Sequence, residues 1–94
     1  MELGKDTYAN RQKIYILEGT KLTFFFKDGK LKAEGSYEND MMQGEWKFYR
    51  ATGQLWVIGY FKDDKKDGSW VRYDKNDRIE YNEEFKDGKL VKNK

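Results

Sequence analysis

Carboxylates and aromatic rings are the side chains in this sequence that could take part in chemistry. The 94 residues contain neither His nor Cys, so the commonest general base, zinc thiolates and disulfides are missing. The run from Asp63 to Gly68 has the carboxylates and glycine of a calcium loop, but Lys65 stands where such a loop needs an oxygen ligand. We therefore interpret this run as a polar turn and predict neither a metal site nor a cofactor.

Paired carboxylates are the remaining catalytic possibility. Glu80, Glu83 and Glu84 are close together in the sequence, but acid–base catalysis requires carboxylates in environments that separate their pKa values. Solvated carboxylates on a sheet surface are the more ordinary interpretation. The sequence also lacks the glycine-rich phosphate-binding motifs. We predict no catalytic residues and no enzymatic activity.

The aromatic side chains permit two interpretations. The chain has three Trp, seven Tyr and six Phe residues. Aromatic cages bind quaternary ammonium groups such as choline, whereas aromatic rings in a thin domain more often supply its buried area. The structural interpretation is favoured, and binding of choline or cell-envelope glycan stays open as an alternative.

The elements that carry these rings recur every 24 residues. Gly29, Gly53 and Asp77 are spaced by 24, and so are Trp46 and Trp70. The unit has the pattern G-x-L-x-x-x-G-x-(Y/F)-x6-G-x-W-x-x-Y. A fixed period of this length is typical of repeat architectures.

The repeat predicts an all-β, antiparallel β-meander built from tandem hairpins. Glycines separate short segments rich in aromatic and β-branched residues, Pro is absent, and no helical period persists, so no helix is expected after residue 20. Strands are predicted at 13–18, 21–26, 30–38, 45–50, 54–62, 69–74, 78–86 and 89–92.

Two kinds of connection are predicted between these strands. Three-residue turns end at Gly29, Gly53 and Asp77, where the last residue adopts a left-handed conformation. Longer loops are expected at 39–43 and 63–67, and the last hairpin turns at Gly88. Gly29, Gly53 and Gly88 are therefore the predicted turn glycines.

Strand alternation then assigns each residue to a face of the sheet. The predicted repeat core is Phe25, Leu31, Tyr37, Tyr49, Leu55, Phe61, Tyr73, Ile79 and Phe85. The opposite surface gives the predicted interaction face, which consists of Trp46, Phe48, Trp56, Ile58, Tyr60 and Trp70. Such a surface requires a cover, so we expect residues 8–17, a second copy of the chain or a partner to lie on it.

The period divides the single domain, residues 1–94, into units. The predicted divisions are an N-terminal segment with the first strand at 1–20, a degenerate half repeat at 21–28, repeats at 29–52 and 53–76, and a partial capping repeat at 77–94.

Within these units, the strings GKLKAEGSYENDMMQGEWKFY and GQLWVIGYFKDDKKDGSWVRY resemble MORN-type repeats. The nearest resemblance is to the bacterial variant in the YwqK-like, antitoxin-related family. It covers roughly residues 22–90. This resemblance implies an elongated twisted sheet and a non-enzymatic role in protein binding, scaffolding or toxin neutralisation, with phospholipid contact as another possibility.

The charge of the chain indicates which classes of partner are expected. The net charge is +2 with a pI of about 8.7, and the basic residues concentrate only in the tail, at Lys86, Lys89, Lys92 and Lys94. Nucleic-acid binders usually carry a basic stripe, so nucleic acid is not expected. A protein partner is favoured, with a homodimer possible and membrane or glycan contact not favoured. The absence of a visible signal peptide favours a cytoplasmic location, although a signal removed earlier would leave export or a periplasmic location open.

Overall fold

The computed structural model describes residues 2–93, which form one antiparallel sheet of eight strands. The strands are β1 (Tyr15–Glu18), β2 (Lys21–Phe25), β3 (Leu31–Glu38), β4 (Met41–Tyr49), β5 (Leu55–Lys62), β6 (Lys65–Tyr73), β7 (Ile79–Lys86) and β8 (Lys89–Asn93).

The strands lie side by side in sequence order, from β1 at one edge to β8 at the other. Residues 2–93 contain no helix, so none has the length and apolarity for crossing a membrane. The predicted all-β meander is therefore confirmed. The domain measures 41 × 34 × 18 Å, and its 18 Å thickness leaves room for one sheet with its side chains.

The three-residue turns form where the glycine period predicts them. In the β4–β5 turn, the N–H of Arg50 donates to the carbonyl of Gln54, and the N–H of Gly53 donates to the carbonyl of Arg50. Gly29 and Gly53 have φ angles of 91° and 96°, and Asp77 has a φ of 61° at the equivalent position. All three are left-handed, and Asp tolerates that conformation less well than Gly does.

Gly53→Val is expected to lower the free energy of unfolding by more than about 1 kcal/mol, because a β-branched residue is strained at positive φ. A Cβ at position 53 would meet no atom within 4 Å, so the loss reports backbone strain alone. Asp77→Gly should be neutral or mildly stabilising for the same reason. Chemical denaturation measures both effects, and equal midpoints for the wild type and Gly53→Val would contradict this account of the turn.

The connections predicted as five-residue loops are two-residue turns. Asn39 and Asp40 have φ angles of 51° and 62°, and Asp63 and Asp64 have φ angles of 50° and 68°. Two successive left-handed residues form the hairpin turn that matches strand twist, and Asn and Asp are the non-glycine residues that accept it. As a result, β4 begins at 41 rather than at 45, and β6 at 65 rather than at 69.

The two-residue turn at Asp63 and Asp64 is hydrogen-bonded to the preceding hairpin. The N–H of Asp64 donates to the carbonyl of Met42 at 3.1 Å, and Oδ1 of Asp64 accepts the N–H of Met42 at 2.6 Å. Burial acts to raise the pKa of Asp64, but the Met42 N–H helps hold that pKa below its usual value. One repeat later, the N–H of Gly88 donates to the carbonyl of Lys66. The carboxylate of Asp64, in the run that resembles a calcium loop, therefore accepts a backbone N–H.

A β-bulge recurs beside every three-residue turn and changes the predicted faces. Phe48 pairs with Val57 and Tyr49 pairs with Leu55, so Trp56 is an extra residue that opposes neither. Lys32 is the extra residue in the preceding repeat, and Glu80 is the extra residue in the following one. An extra residue reverses the inward–outward alternation of the strand beyond it.

The predicted single core face is therefore wrong, because the bulge divides its nine members between two surfaces. Tyr37, Phe61 and Phe85 lie on the surface that we call the tryptophan face, together with Trp46, Phe48 and Trp70. The remaining members lie on the opposite surface, which we call the tyrosine face: Phe25, Leu31, Tyr49, Leu55, Tyr73 and Ile79. Ile79 is 59% exposed there and is not a core residue.

Candidate functional site

The tryptophan face carries a continuous row of aromatic rings. Ring centroids lie 6.1 Å apart between Phe24 and Trp46, 6.1 Å between Trp46 and Phe48, and 6.0 Å between Phe48 and Trp70. Phe61 packs edge-on against both tryptophans. These tilted and edge-on geometries are the ones that aromatic pairs prefer. The row reaches from β2 to β6 and forms the apolar part of this face.

Trp46 lies between Phe24 and Phe48 in this row and is completely buried, so the row is closed at its β2 end. Its indole lies flat on Gly35, its register partner on β3, and its Nε1 donates a hydrogen bond of 2.9 Å to the carbonyl of Ser36. Leu22 is also fully buried in the same cluster. Trp46 therefore belongs to the core and is not available to a partner, contrary to its place in the predicted interaction face.

The N-terminal segment covers this closed end. Leu3 packs against the buried cluster, and the hydroxyl of Tyr15 donates to the carbonyl of Gly4 at 3.0 Å. The hydroxyl of Tyr8 donates to the carbonyl of Phe25. The predicted lid of residues 8–17 is only partly correct, since residues 15–17 lie in the edge strand β1 and Leu3 forms part of the cover.

Ile58 and Tyr60 do not lie beside the tryptophans. The bulge at Trp56 shifts the register, so Trp46 pairs with Gly59, and Ile58 and Tyr60 point to the tyrosine face. There the hydroxyl of Tyr60 donates to Oε2 of Glu45 at 3.1 Å. The predicted interaction face is corrected accordingly. Phe48, Trp56 and Trp70 lie on the tryptophan face and remain half-buried.

Two hollows open between the side chains of the tryptophan face. The first hollow, of about 270 Å³, is lined by Phe24, Lys32, Ala33, Met42, Trp46 and Phe48. The second hollow, of about 320 Å³, is lined by Phe48, Trp56, Val57, Lys66, Trp70 and Arg72. Adding 24 to each residue number of the first hollow gives the second. The hollow is therefore a feature of the repeat, and the two copies differ only in their side chains.

The second hollow carries two cations over aromatic rings. The Nζ of Lys66 lies 4.0 Å from the Trp70 ring centroid and 4.7 Å from that of Phe85. The guanidinium carbon of Arg72 lies 5.7 Å from the Trp56 centroid and 4.8 Å from that of Tyr81. Such contacts orient cations against ring faces. Nη2 of Arg72 also pairs with Glu80 at 2.8 Å.

Trp56 is held in place by a second guanidinium. Arg50 lies 5.5 Å from the Trp56 ring centroid, and its Nη2 donates to the carbonyl of Tyr73 at 3.0 Å. Arg50 and Arg72 thus both pack on the indole of Trp56. Planar guanidinium groups stack well on aromatic rings. The indole is therefore fixed at the rim of the second hollow without being fully buried.

The tyrosine face is more polar and holds a tyrosine with a perturbed pKa. Burial, followed by the hydrogen bond of 2.9 Å that its hydroxyl donates to Glu34, raises the pKa of Tyr49 to about 12. Within residues 2–93, no group of three or more His, Cys, Asp or Glu side chains is arranged to hold a metal ion.

Sequence reasoning found the aromatic members of the second hollow but missed its cations. Lys66 falls within the run interpreted as a polar turn, and neither Lys66 nor Arg72 belongs to the predicted interaction face. The 24-residue period contained a usable signal. Lys66 stands between Met42 and Leu90, and Arg72 follows Phe24 and Phe48, so each cation replaces an apolar residue of the repeat.

A comparison with protein families supports the repeat interpretation. A family model described as a MORN repeat variant matches residues 18–39 and 42–63. No curated protein and no solved structure matched the chain. Each matched segment contains one hairpin, β2–β3 or β4–β5, and the two begin 24 residues apart. The predicted units begin instead at the three-residue turns, with the same period. The chain is therefore similar to MORN-type repeat proteins over two tandem segments.

Proposed function

We propose that this protein is a non-enzymatic protein-binding module and that the open part of its tryptophan face is the binding surface. MORN-type repeats are generally protein- or membrane-binding modules. The observation that carries the proposal is the second hollow, where half-buried Trp56 and Trp70 lie beside Arg72. Trp and Arg are the residue types most enriched among interface residues with large binding energies.

A membrane or glycan surface is the less favoured partner. Binding to anionic lipid depends on a broad basic surface, whereas this chain has a net charge of only +2. Glu80 pairs with Arg72, and Glu83 lies next to Trp70 in the sheet register. These two carboxylates would repel the many anionic headgroups of a membrane surface. They would repel a single anionic group on a protein partner less. A protein partner therefore agrees better with the local charge.

The finer roles are also part of the proposal. An antitoxin-like role or a scaffolding role is consistent with a non-enzymatic binding module, and we infer a cytoplasmic location. A second copy of the chain is another protein that could cover the open face. The gene neighbourhood offers an independent check on the antitoxin-like role, because an adjacent toxin gene would support it.

Trp56→Lys tests the proposed surface. Lys32 occupies the equivalent position one repeat earlier, so the fold should tolerate the change. Loss of a Trp with a large share of the binding energy is expected to weaken partner binding by about 30-fold. Affinity capture from native cells, with titration of the recovered partner, measures this effect. Light scattering detects self-association, and sedimentation with anionic vesicles detects lipid binding.

Tyr60→Lys is the matched control. Tyr60 is 38% exposed and lies on the tyrosine face, so its replacement should leave partner binding unchanged. Recovery of the same partner with equal affinity by the wild type and by Trp56→Lys would exclude the tryptophan face as the binding surface. Vesicle binding that disappears in Trp56→Lys, without a protein partner, would favour the membrane instead.

A further inference from the structure

The two hollows provide a comparison within one chain, because the same backbone carries different side chains. Met42 lines the first hollow and Lys66 replaces it in the second, while Phe48 of the first is replaced by Arg72. The first hollow is thus mainly apolar, with Lys32 as its only charged lining residue. The second hollow keeps its aromatic walls and contains two cations. Sheet stability does not require this exchange, since the first repeat folds with apolar side chains at both positions.

Lys66 is the less neutralised of the two cations. None of the carboxylates in residues 2–93 forms a salt bridge with its Nζ, whereas Arg72 has Glu80 as a partner. The residue is half-buried, and its ammonium group rests on the rings of Trp70 and Phe85. A partly desolvated ammonium group attracts an anion more strongly than one in bulk water does. Charge complementarity therefore favours a negatively charged group on the partner.

We propose that the second hollow binds the carboxylate of an Asp or Glu side chain in a partner protein, with Lys66 and Arg72 as its donors. The apolar first hollow, whose Trp46 wall is buried but whose Lys32, Met42 and Phe48 side chains remain accessible, receives a hydrophobic side chain from the same extended segment. This inference rests on the proposed function and specifies the chemistry of the partner. The aromatic walls exclude water around the ion pair, which strengthens it.

The repeat also fixes the spacing of the two groups in the partner. One repeat contains two strands, and neighbouring strands lie about 4.8 Å apart, so equivalent points of the two hollows are separated by about 10 Å. A chain in the polyproline II conformation advances about 3.1 Å per residue and has three residues per turn, so side chains three residues apart point the same way. A segment that crosses the strands therefore presents its hydrophobic and acidic side chains about three residues apart.

A single phosphate headgroup would satisfy the two cations equally well. The first hollow distinguishes a partner carboxylate from a lipid phosphate. It lies at the same height along the strands as the second hollow, and it suits an apolar side chain next to the anion. A headgroup on a flat bilayer brings further phosphates over the sheet instead. Those phosphates would meet Glu80 and Glu83, as described above.

Selection of short random peptides displayed on phage tests this inference. With the wild-type protein, selected peptides should contain Asp or Glu about three positions from a large hydrophobic residue. Lys66→Met introduces the residue of the first hollow, so the fold is preserved while the cation is lost. Binding of a selected peptide should weaken about tenfold or more, as expected for loss of a hydrogen bond between charged groups. A peptide with Gln in place of Glu should show the same loss.

Charge reversal gives a second, independent variant. Lys66→Glu should shift the selection from acidic toward Lys- or Arg-containing peptides. Tyr60→Lys, on the opposite tyrosine face, is the matched control, and it should leave the acidic preference intact.

The outcomes separate the two proposals. Peptides that lose binding in Trp56→Lys but show no acidic preference would overturn the carboxylate site and leave the protein-binding function standing. No selected peptides would overturn the carboxylate site, and the affinity capture with Trp56→Lys described above then decides the protein-binding function separately. Lys66-dependent sedimentation on phosphatidylserine vesicles, without selected peptides, would assign the second hollow to a lipid headgroup instead.

Discussion

Gly35→Ala is expected to lower the free energy of unfolding by about 3 kcal/mol, at the upper end of the range for overpacked cores. A Cβ at position 35 would lie 2.3 Å from Cδ2 of Trp46, which is well inside van der Waals contact. Trp46 cannot move away without loss of packing, because it is fully buried and hydrogen-bonded to the carbonyl of Ser36. A small domain has only about 5–15 kcal/mol of stability. Chemical denaturation should therefore show a large fall in midpoint.

Two controls isolate the contact between Gly35 and Trp46. Gly4→Ala adds the same methyl group at a glycine where a Cβ meets nothing within 4 Å, so its midpoint should equal that of the wild type. Gly35→Ala should cost much less when Trp46 is already Ala, because the added methyl group then occupies vacated space. Equal midpoints for Gly35→Ala and the wild type would show that the indole does not lie on the glycine.

Trp46→Ala is expected to destabilise the protein by about 3–5 kcal/mol, the usual range for removal of a large aromatic side chain from a core. The indole contacts the rings of Phe24, Phe48 and Phe61. It therefore packs β2 and β5 against β4. Its removal leaves a cavity that rigid strands cannot fill. Thermal and chemical denaturation measure the loss.

Trp70→Ala is the matched comparison, because Trp70 occupies the same repeat position and also lies flat on a glycine, Gly59. Trp70 is only half-buried, so its removal should cost less stability than removal of Trp46. It should instead remove the nearer of the two rings that support Lys66 and weaken peptide binding. Equal destabilisation by the two substitutions would contradict the assignment of one tryptophan to the core and the other to the binding surface.

The fold was predictable because the residues that define it are repeated and chemically distinctive. Gly29 and Gly53 mark left-handed turns, and the aromatic segments between them alternate as strands do. The β-bulge was not predictable from residue type. Lys32, Trp56 and Glu80 occupy its extra position and share neither size, charge nor shape. The turn geometry sets the bulge, and one extra residue was enough to reverse the predicted faces.

The candidate site was predictable only in its aromatic half. Trp56 and Trp70 stand out from the sequence because large aromatic residues are costly to leave in water. Lys66 does not, because a lysine beside Asp63 and Asp64 looks like part of a solvated turn. The short two-residue turn places Lys66 inside β6 instead, as the register partner of Phe61.

The sequential order of the strands bears on how the chain acquires its structure during synthesis. Within residues 2–93, every strand pairs only with its immediate neighbours in the sequence, and no pairing joins distant strands. Loop-closure entropy is therefore small at each step, a property typical of chains that fold rapidly. A hairpin emerging from the ribosome needs only the hairpin before it as a template. The closed end around Trp46 is complete once β5 has emerged, so the second hollow is assembled on a surface that has already folded.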